Sequence, residues 1–225
     1  MSRSKPAQEG VLVLHGLGRT PLAMLRLAQH LEDAGYLVEN LGYPSQEHSV
    51  EQLAERFVQP AVTALQGQGI SRLHFVGHSM GGILTRMLVQ QQRPRNLGRA
   101  VMIATPNQGT ELVDFLRRYW IFRKLKGPAG VQLGTGADSL PLQLGPVDFE
   151  VGVIAGSRSN NWFFSRLMPG ADDGKVPVSR TKVEGMSDFI TLPYAHTFIQ
   201  QRSRTIDQTL HFLKHGRFDH QPPSD

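Results

Sequence analysis

The sequence of 225 residues contains no cysteine, and this absence excludes several kinds of chemistry. The protein can form no disulfide bond, and it can hold no cysteine nucleophile, thiolate zinc site or cysteine-ligated iron–sulfur cluster. The absence does not indicate a compartment, because a chain without thiols is indifferent to the redox state around it.

Long apolar runs and long runs of like charge are also missing. No segment approaches the roughly 18 consecutive apolar residues of a membrane-spanning helix. The first apolar run, residues 11–14, is short and no small-residue cleavage site follows it, so we expect no signal peptide and a cytoplasmic protein. A secreted form whose leader has already been removed is the alternative. The net charge of +5 is not concentrated in long basic runs, so no nucleic-acid partner is expected.

Length and composition predict one globular domain over residues 1–225, with 40% hydrophobic and 19% charged residues. Short apolar runs are typical of parallel strands buried on both faces, and they lie at residues 11–14, 37–41, 73–76, 100–104, 151–155 and 189–192. Segments of helical period lie between and after them, at residues 21–34, 50–65, 80–91 and 206–213. This alternation predicts an α/β fold of three layers, in which helices cover a mostly parallel sheet of about six strands.

Residues 110–145 interrupt the alternation, because they separate two predicted strands by far more than a usual connection. Their first part, residues 111–126, has helical period, and the rest is rich in glycine and proline. We expect a small cap over the mouth of a site. Within it, residues 117–126 hold five cations and three aromatic residues, which indicates transient contact with a membrane surface. A solvated helix that packs its apolar face on the site is the alternative.

The clearest chemical motif is the G-x-S-x-G pattern of residues 77–81, which follows the third apolar run and precedes a helix. Such a chain reversal is so tight that Gly77 and Gly81 are needed to avoid collisions, and it lifts the hydroxyl of Ser79 clear of the sheet. Ser79 is therefore the candidate nucleophile. The pentapeptide also arises by chance, so an ordinary glycine-rich turn is the competing interpretation.

A second glycine-rich turn, HGLG at residues 15–18, follows the first apolar run. Acyl transfer needs two N–H donors about 3 Å from the oxyanion that develops on the substrate. The backbone N–H groups of Leu17 and Met80 are the candidates, since Met80 follows the nucleophile and Leu17 lies in the loop after an early strand. A tight turn between strand and helix, without a catalytic role, is the alternative.

A serine hydroxyl also needs a base that takes its proton. Among nine histidines, His196 alone follows the last predicted strand at its carboxyl end, where ligands of parallel sheets bind. The base in turn needs an acid that fixes its tautomer. Asp173 is preferred because a glycine follows it in a tight turn; Asp172 is the main alternative, and Glu111 and Asp114 are weaker ones.

Together these motifs resemble the α/β-hydrolase superfamily, within it the compact lipase and esterase branch. The resemblance covers about residues 11–213 and rests on HGLG (15–18), GHSMGG (77–82), TPNQGT (105–110), DDGKVP (172–177) and His196. TPNQGT is similar to the T-P-x-x-G-[ST] loop of bacterial lipases and of GPI inositol-deacylase-like proteins. The family implies an eight-stranded sheet, of which we expect the first two strands to be absent here. No match to the calcium site of the larger lipases is seen.

We therefore expect a serine hydrolase that cleaves carboxylic esters, an esterase or lipase, through an acyl-enzyme. Ser79, Asp173 and His196 follow one another in the chain order of this superfamily. The expected substrate is a small-molecule or lipid ester, and no metal or cofactor is required. An acyltransferase or thioesterase would use the same residues, and a non-catalytic binding protein of this fold is less favoured.

Three further residues are weaker candidates for contact with substrate. His78 adjoins the candidate nucleophile, and Trp162 and Phe163 belong to the aromatic segment of residues 161–164. That segment is predicted to form either the wall of an acyl pocket or ordinary core.

Overall fold

The computed structural model describes residues 8–159 and 162–221, and in this part of the chain it contains one sheet of six strands. The strands are β1 (Gly10–Leu14), β2 (Leu37–Leu41), β3 (Leu73–His78), β4 (Leu97–Ile103), β5 (Val151–Gly156) and β6 (Asp188–Leu192). Their order across the sheet is β2-β1-β3-β4-β5-β6, and every neighbouring pair is parallel. The predicted sheet is confirmed, and it is parallel throughout.

Burial explains why the strands were visible as apolar runs. All residues of β1, β3 and β5 are buried, as expected for strands covered on both faces. The edge strand β2 is only partly buried, and accordingly it accommodates Glu39 and Asn40. The central strands therefore give the strongest sequence signal, and the carboxyl ends of these strands position the site.

Ten α-helical segments lie between and after the strands in the described residues. They are α1 (Leu25–Asp33), α2 (Val50–Leu53), α3 (Gln59–Gly67), α4 (Met80–Gln91), α5 (Glu111–Leu116), α6 (Trp120–Val131), α7 (Leu140–Gln143), α8 (Trp162–Ser165), α9 (Val178–Thr181) and α10 (Ser203–His215). The helix predicted at residues 50–65 differs in detail, because a π-helical turn at Ala54–Val58 separates α2 from α3. Pro60, near the start of α3, lacks the N–H that a continuous α-helical ladder requires there. No helix in the described ranges has the length and apolarity needed to cross a bilayer.

The helices form a layer on each face of the sheet. Alternate residues of β1 belong to different apolar clusters: Leu12 packs with Ile83 of α4, and Val13 belongs with Leu27 of α1 and Phe212 of α10. Because successive side chains of a strand point to opposite faces, the two clusters lie on opposite sides of the sheet. This arrangement gives the predicted three layers.

The insertion at residues 110–145 is helical but not continuous. The helix expected over residues 111–126 is divided into α5 and α6, which are separated by residues 117–119. The second of these kinks at Gly127 (φ 63°), directly before Pro128. Leu133 and Leu140 of the insertion belong to the same apolar cluster as α4, so the insertion packs on one helical layer of the fold.

A buried arginine of α4 forms hydrogen bonds with the cap. The guanidinium of Arg86 donates hydrogen bonds to the carbonyl oxygens of Pro141 and Gly145 in the cap. It also donates to the backbone and side-chain oxygens of Asn107, in the loop after β4. Burial lowers the pKa of Arg86 to about 10, so the group is still charged at neutral pH, and in the described structure its partners are neutral oxygens.

Candidate active site

The turn after β3 has the strained backbone that the sequence predicts. Ser79 has φ 55° and ψ −122°, a conformation that residues with a side chain rarely adopt. A Cβ on Gly77 would lie 2.5 Å from the carbonyl carbon of Gly81, and one on Gly81 would lie 2.3 Å from the carbonyl oxygen of Leu14. The strand, the turn and α4 are thus packed so closely that both flanking positions require glycine.

Three side chains from separate loops meet beside this turn. Oγ of Ser79 lies 3.0 Å from Nε2 of His196, and Nδ1 of His196 lies 2.8 Å from Oδ2 of Asp173. A carboxylate accepts hydrogen bonds, so Nδ1 of His196 carries the proton and Nε2 is left to accept from the hydroxyl of Ser79. The loops after β3, β5 and β6 therefore bring the three residues selected from the sequence into one hydrogen-bonded chain.

The aspartate at position 173 is held in a rigid turn. Its Oδ1 accepts hydrogen bonds from the backbone N–H groups of Lys175 (3.0 Å) and Val176 (2.8 Å), and its side chain is buried. The backbone N–H of His196 also donates to the carbonyl oxygen of Asp173, at 2.9 Å. Both carboxylate oxygens are thus satisfied, which keeps the group oriented toward the imidazole.

The other acidic candidates have different partners. Asp172 accepts hydrogen bonds from the N–H two residues further on and from the hydroxyl of Ser165. Glu111 forms an ion pair with an arginine of α9, and Asp114 accepts hydrogen bonds from a threonine of the cap. Of the four candidates, Asp173 is the one that the structure puts in contact with the histidine.

The HGLG turn lies directly against the serine. A Cβ on Gly16 would be only 3.1 Å from Cβ of Ser79, so the backbone of the loop passes close to the hydroxyl. The N–H of Leu17 has no hydrogen-bond partner among the described residues. Met80 is the first residue of α4, and the N–H of a first helical residue has no acceptor within the helix. Two unoccupied backbone donors thus belong to the segments that border Ser79.

His15 and Tyr43 stabilise that loop, and sequence reasoning assigned no role to Tyr43. Their rings stack with centroids 4.0 Å apart, and the hydroxyl of Tyr43 donates a hydrogen bond to the carbonyl oxygen of His15. Burial lowers the pKa of the His15 imidazole and raises that of the Tyr43 phenol, so both groups are neutral at pH 7. The one feature of the sequence that could have indicated this role of Tyr43 is its position two residues after the end of β2.

A cavity of about 260 Å³ opens above Ser79 and His196. Much of its wall is apolar and comes from the cap, including Leu112, Leu116, Phe122 and Leu133. Three cations also line it, Arg19, Lys126 and Lys175, and the sequence analysis did not select them as a group. Residues of the insertion at 110–145 therefore line this cavity together with Ser79 and His196.

The candidate substrate contacts are placed differently from one another. His78 is buried and lines the cavity, whereas Trp162 and Phe163 are 74% and 52% exposed and lie outside its lining. Phe164 lines the cavity instead. Successive residues of a helical turn point about 100° apart, so this short helix directs one aromatic side chain inward and the two before it outward. The expectation that Trp162 and Phe163 form pocket wall or core is thus corrected; residue 161 lies outside the described residues.

The sequence of this chain matches the profile of the Alpha/beta hydrolase family over residues 11–214. No curated protein matches it significantly. Among solved structures it is similar to the mature lipase BlEst2 of Bacillus licheniformis, with 16% identity and a TM-score of 0.67 over 93% of this chain and 91% of that one.

Two further structures are similar at comparable identity. The metagenome-derived lipolytic enzymes LipS and LipT give 19% identity and a TM-score of 0.61, over 92% of this chain and 94% of the other. Lipase B of Aspergillus fumigatus gives 15% identity and a TM-score of 0.70. The match covers 93% of this chain and 53% of that lipase. These likenesses show the fold. The profile match extends over most of the sequence, and this chain is a member of the alpha/beta hydrolase family.

Proposed function

We propose that this protein hydrolyses carboxylic esters with Ser79 as its nucleophile. The observation that carries the proposal is the hydrogen-bonded chain from Oγ of Ser79 through the imidazole of His196 to Asp173, at the floor of a largely apolar cavity. A nucleophile bonded to a base that is oriented by a third group is the arrangement that activates a serine hydroxyl.

Acylation uses each of these groups in turn. Oγ of Ser79 attacks the carbonyl carbon of the ester while Nε2 of His196 takes the hydroxyl proton. Asp173 keeps the imidazole in the required tautomer and stabilises its charged form. The N–H groups of Leu17 and Met80 hold the oxyanion of the tetrahedral intermediate.

Collapse of the tetrahedral intermediate reverses the direction of proton transfer and completes acylation. The imidazolium of His196 protonates the leaving alcohol, which departs and leaves an acyl group on Ser79. In deacylation, His196 takes a proton from a water molecule that attacks the acyl carbon, and it then returns a proton to Oγ of Ser79 as the acid is released.

The cavity favours a substrate with a hydrocarbon part. Most of the wall that comes from the cap consists of leucine, valine and phenylalanine side chains, which bind aliphatic groups by burying apolar surface. The lipase and lipolytic descriptions of the structural neighbours agree with a lipid-like or small-molecule ester, although their identities of 16% and 19% carry the fold alone.

We also propose transient contact between the cap and a lipid surface through residues 117–126. Trp120, Ile121 and Leu125 of α6 are exposed, and cations lie beside them in the chain. From the same helix, Phe122 and Lys126 line the cavity, so the exposed apolar face adjoins its mouth. An apolar face flanked by cations suits the boundary between anionic head groups and acyl chains.

A co-sedimentation assay tests this contact. The protein should pellet with anionic vesicles more than with neutral ones, and a Trp120→Ser, Ile121→Ser double variant should lose most of that binding. Leu22→Ser, which changes an exposed leucine outside the cap, is the matched control. Equal pelleting of the double variant and the wild type would contradict the proposal.

The hydrolase itself is tested by a series of p-nitrophenyl esters of increasing chain length, run beside a covalent phosphonate probe of active serines. Ester turnover and probe labelling should both disappear in Ser79→Ala and persist in Ser179→Ala, which removes an exposed hydroxyl from α9. Acceptor alcohols and acyl-CoA are added in separate arms. Faster product formation with an acceptor would identify a transferase, and preference for the thioester would identify a thioesterase.

A further inference from the structure

Three cationic side chains from separate parts of the chain converge on the cavity that contains Ser79. Arg19 lies in the loop after β1, Lys126 belongs to α6, and Lys175 is in the turn that follows Asp173. In the described ranges, no hydrogen bond or ion pair is formed by the side-chain nitrogens of these three residues. Two other basic residues, Arg117 of the cap and Arg180 of α9, do have carboxylate partners.

One carboxylate, that of Asp173, offsets part of the charge of this cluster, since it acts to raise the pKa of Lys175. Its oxygens accept hydrogen bonds from His196 and from backbone N–H groups, and among the described residues they form no ion pair with the three cations. Lys175 is exposed overall, and desolvation of its ammonium group together with the charges of Arg19 and Lys126 lowers its pKa. Like charges held together in a partly enclosed site raise the electrostatic potential there, and an anion that enters relieves the repulsion.

The apolar wall and the cations define two halves of one binding site. Phe122 and Leu116 suit a hydrocarbon group, whereas the guanidinium and the two ammonium groups suit phosphate or carboxylate oxygens. We infer that the cavity selects an amphiphilic ester that carries an anionic group close to the ester bond, bound by Arg19, Lys126 and Lys175. This inference rests on the proposed hydrolysis at Ser79 for its catalytic consequence, but the binding it requires can be measured without turnover.

Binding is tested by calorimetric titration of the whole protein with hexyl phosphate, hexanoate and hexanol, which share one hydrocarbon chain. At least one anionic amphiphile should bind at least tenfold more tightly than the alcohol. The phosphate and carboxylate arms show which anionic group the site prefers. The Arg19→Gln, Lys126→Gln double variant should lose this preference, whereas Arg19→Lys and Lys126→Arg should keep most of it, because they retain the charge.

The matched control is Lys214→Gln, which removes an exposed cation of α10 that does not line the cavity. It should bind all three compounds as the wild type does. Equal affinity of the wild type for the alcohol and both anions overturns the inference, and so does a preference that survives in the double variant.

Kinetics separate this inference from the proposed function. Monohexanoylglycerol and its 3-phosphate should both be cleaved with dependence on Ser79, with kcat/KM at least tenfold higher for the phosphate. Among the variants, the ratio of the two kcat/KM values should approach one only where the cations are removed. If both esters are cleaved equally and no anion preference is seen in calorimetry, the inference fails and the hydrolase stands. If neither is cleaved while the anion preference in binding is present, the hydrolase proposal fails and the anion site stands.

Discussion

Nε2 of His78 donates a hydrogen bond to the backbone carbonyl oxygen of His196, 3.0 Å away. His78, which directly precedes Ser79, thereby stabilises the loop that positions His196 next to Ser79. A carbonyl oxygen can only accept, so Nε2 of His78 is protonated and its Nδ1, buried without a partner in the described structure, is not. The two adjacent imidazoles are therefore distinct, since one orders the backbone while the other contacts the hydroxyl of Ser79.

The stability of the fold should decrease at acidic pH because His78 and His15 are buried as neutral groups. Burial lowers the pKa of both in the folded state, and His196, Lys175 and Arg19 add their repulsion at His78. In the unfolded chain both titrate near the ordinary value of about 6.5. The unfolded state then binds more protons, so the stability is complete above about pH 6.5 and is lost as the pH falls below it.

Urea unfolding at pH 7.5, 6.5 and 5.5 measures this effect. A histidine whose pKa is lowered contributes a loss of about 1.4 kcal/mol for each pH unit between its unfolded and folded pKa values. His78→Gln keeps a donor for the carbonyl oxygen but cannot titrate, so its unfolding free energy should fall less than that of the wild type. His30→Gln on α1 serves as the control. Identical pH profiles for His78→Gln and the wild type would contradict the prediction.

Replacing the nucleophile should abolish turnover without unfolding the protein. Ser79→Ala removes the attacking oxygen, and we expect kcat for p-nitrophenyl esters to fall by about 10⁴-fold or more. Circular dichroism and urea unfolding should show a folded chain, because alanine also fits the space of a serine side chain. Turnover within about tenfold of the wild type would assign the chemistry to another residue.

Two adjacent aspartates provide a matched pair of variants. Asp173→Asn should reduce kcat by about 10⁴-fold, because an amide no longer selects the tautomer of His196 that accepts from Ser79. Asp172→Asn alters only a hydrogen bond to a backbone N–H and one to Ser165, so a change below about tenfold is expected. Losses of equal size in the two variants would remove Asp173 from the proposed acid role.

The sheet and the positions of the three hydrogen-bonded side chains could be predicted from the sequence for a physical reason. Parallel strands buried on both faces are apolar without interruption, and functional groups then follow their carboxyl ends. Ser79, His196 and Asp173 each lie in a loop that follows a strand, so their order in the chain was informative.

The sequence did not predict which distant residues meet in the folded protein. Periodicity reports the burial of one element at a time, and it does not indicate that Arg19, Lys126 and Lys175 reach one cavity from three segments. It also does not distinguish the outward Trp162 from the inward Phe164, since a single helical turn contains too few residues for a pattern. Tertiary contacts decide both.

The position of the cap should depend on Arg86, a residue that motif analysis did not select. In Arg86→Met, the carbonyl oxygens of Pro141, Gly145 and Asn107 lose their donors in a buried region, and removing one partner of such a network costs about 3 kcal/mol or more. Arg93→Met is the control, since it breaks an exposed ion pair that contributes about 1 kcal/mol or less. Urea unfolding compares the free energies of unfolding of the two variants with that of the wild type.

The cap supplies much of the apolar wall above Ser79, so Arg86→Met should also raise KM for longer esters more than for short ones. Equal unfolding free energies for the two variants would show that the cap is held by its apolar contacts and not by the guanidinium.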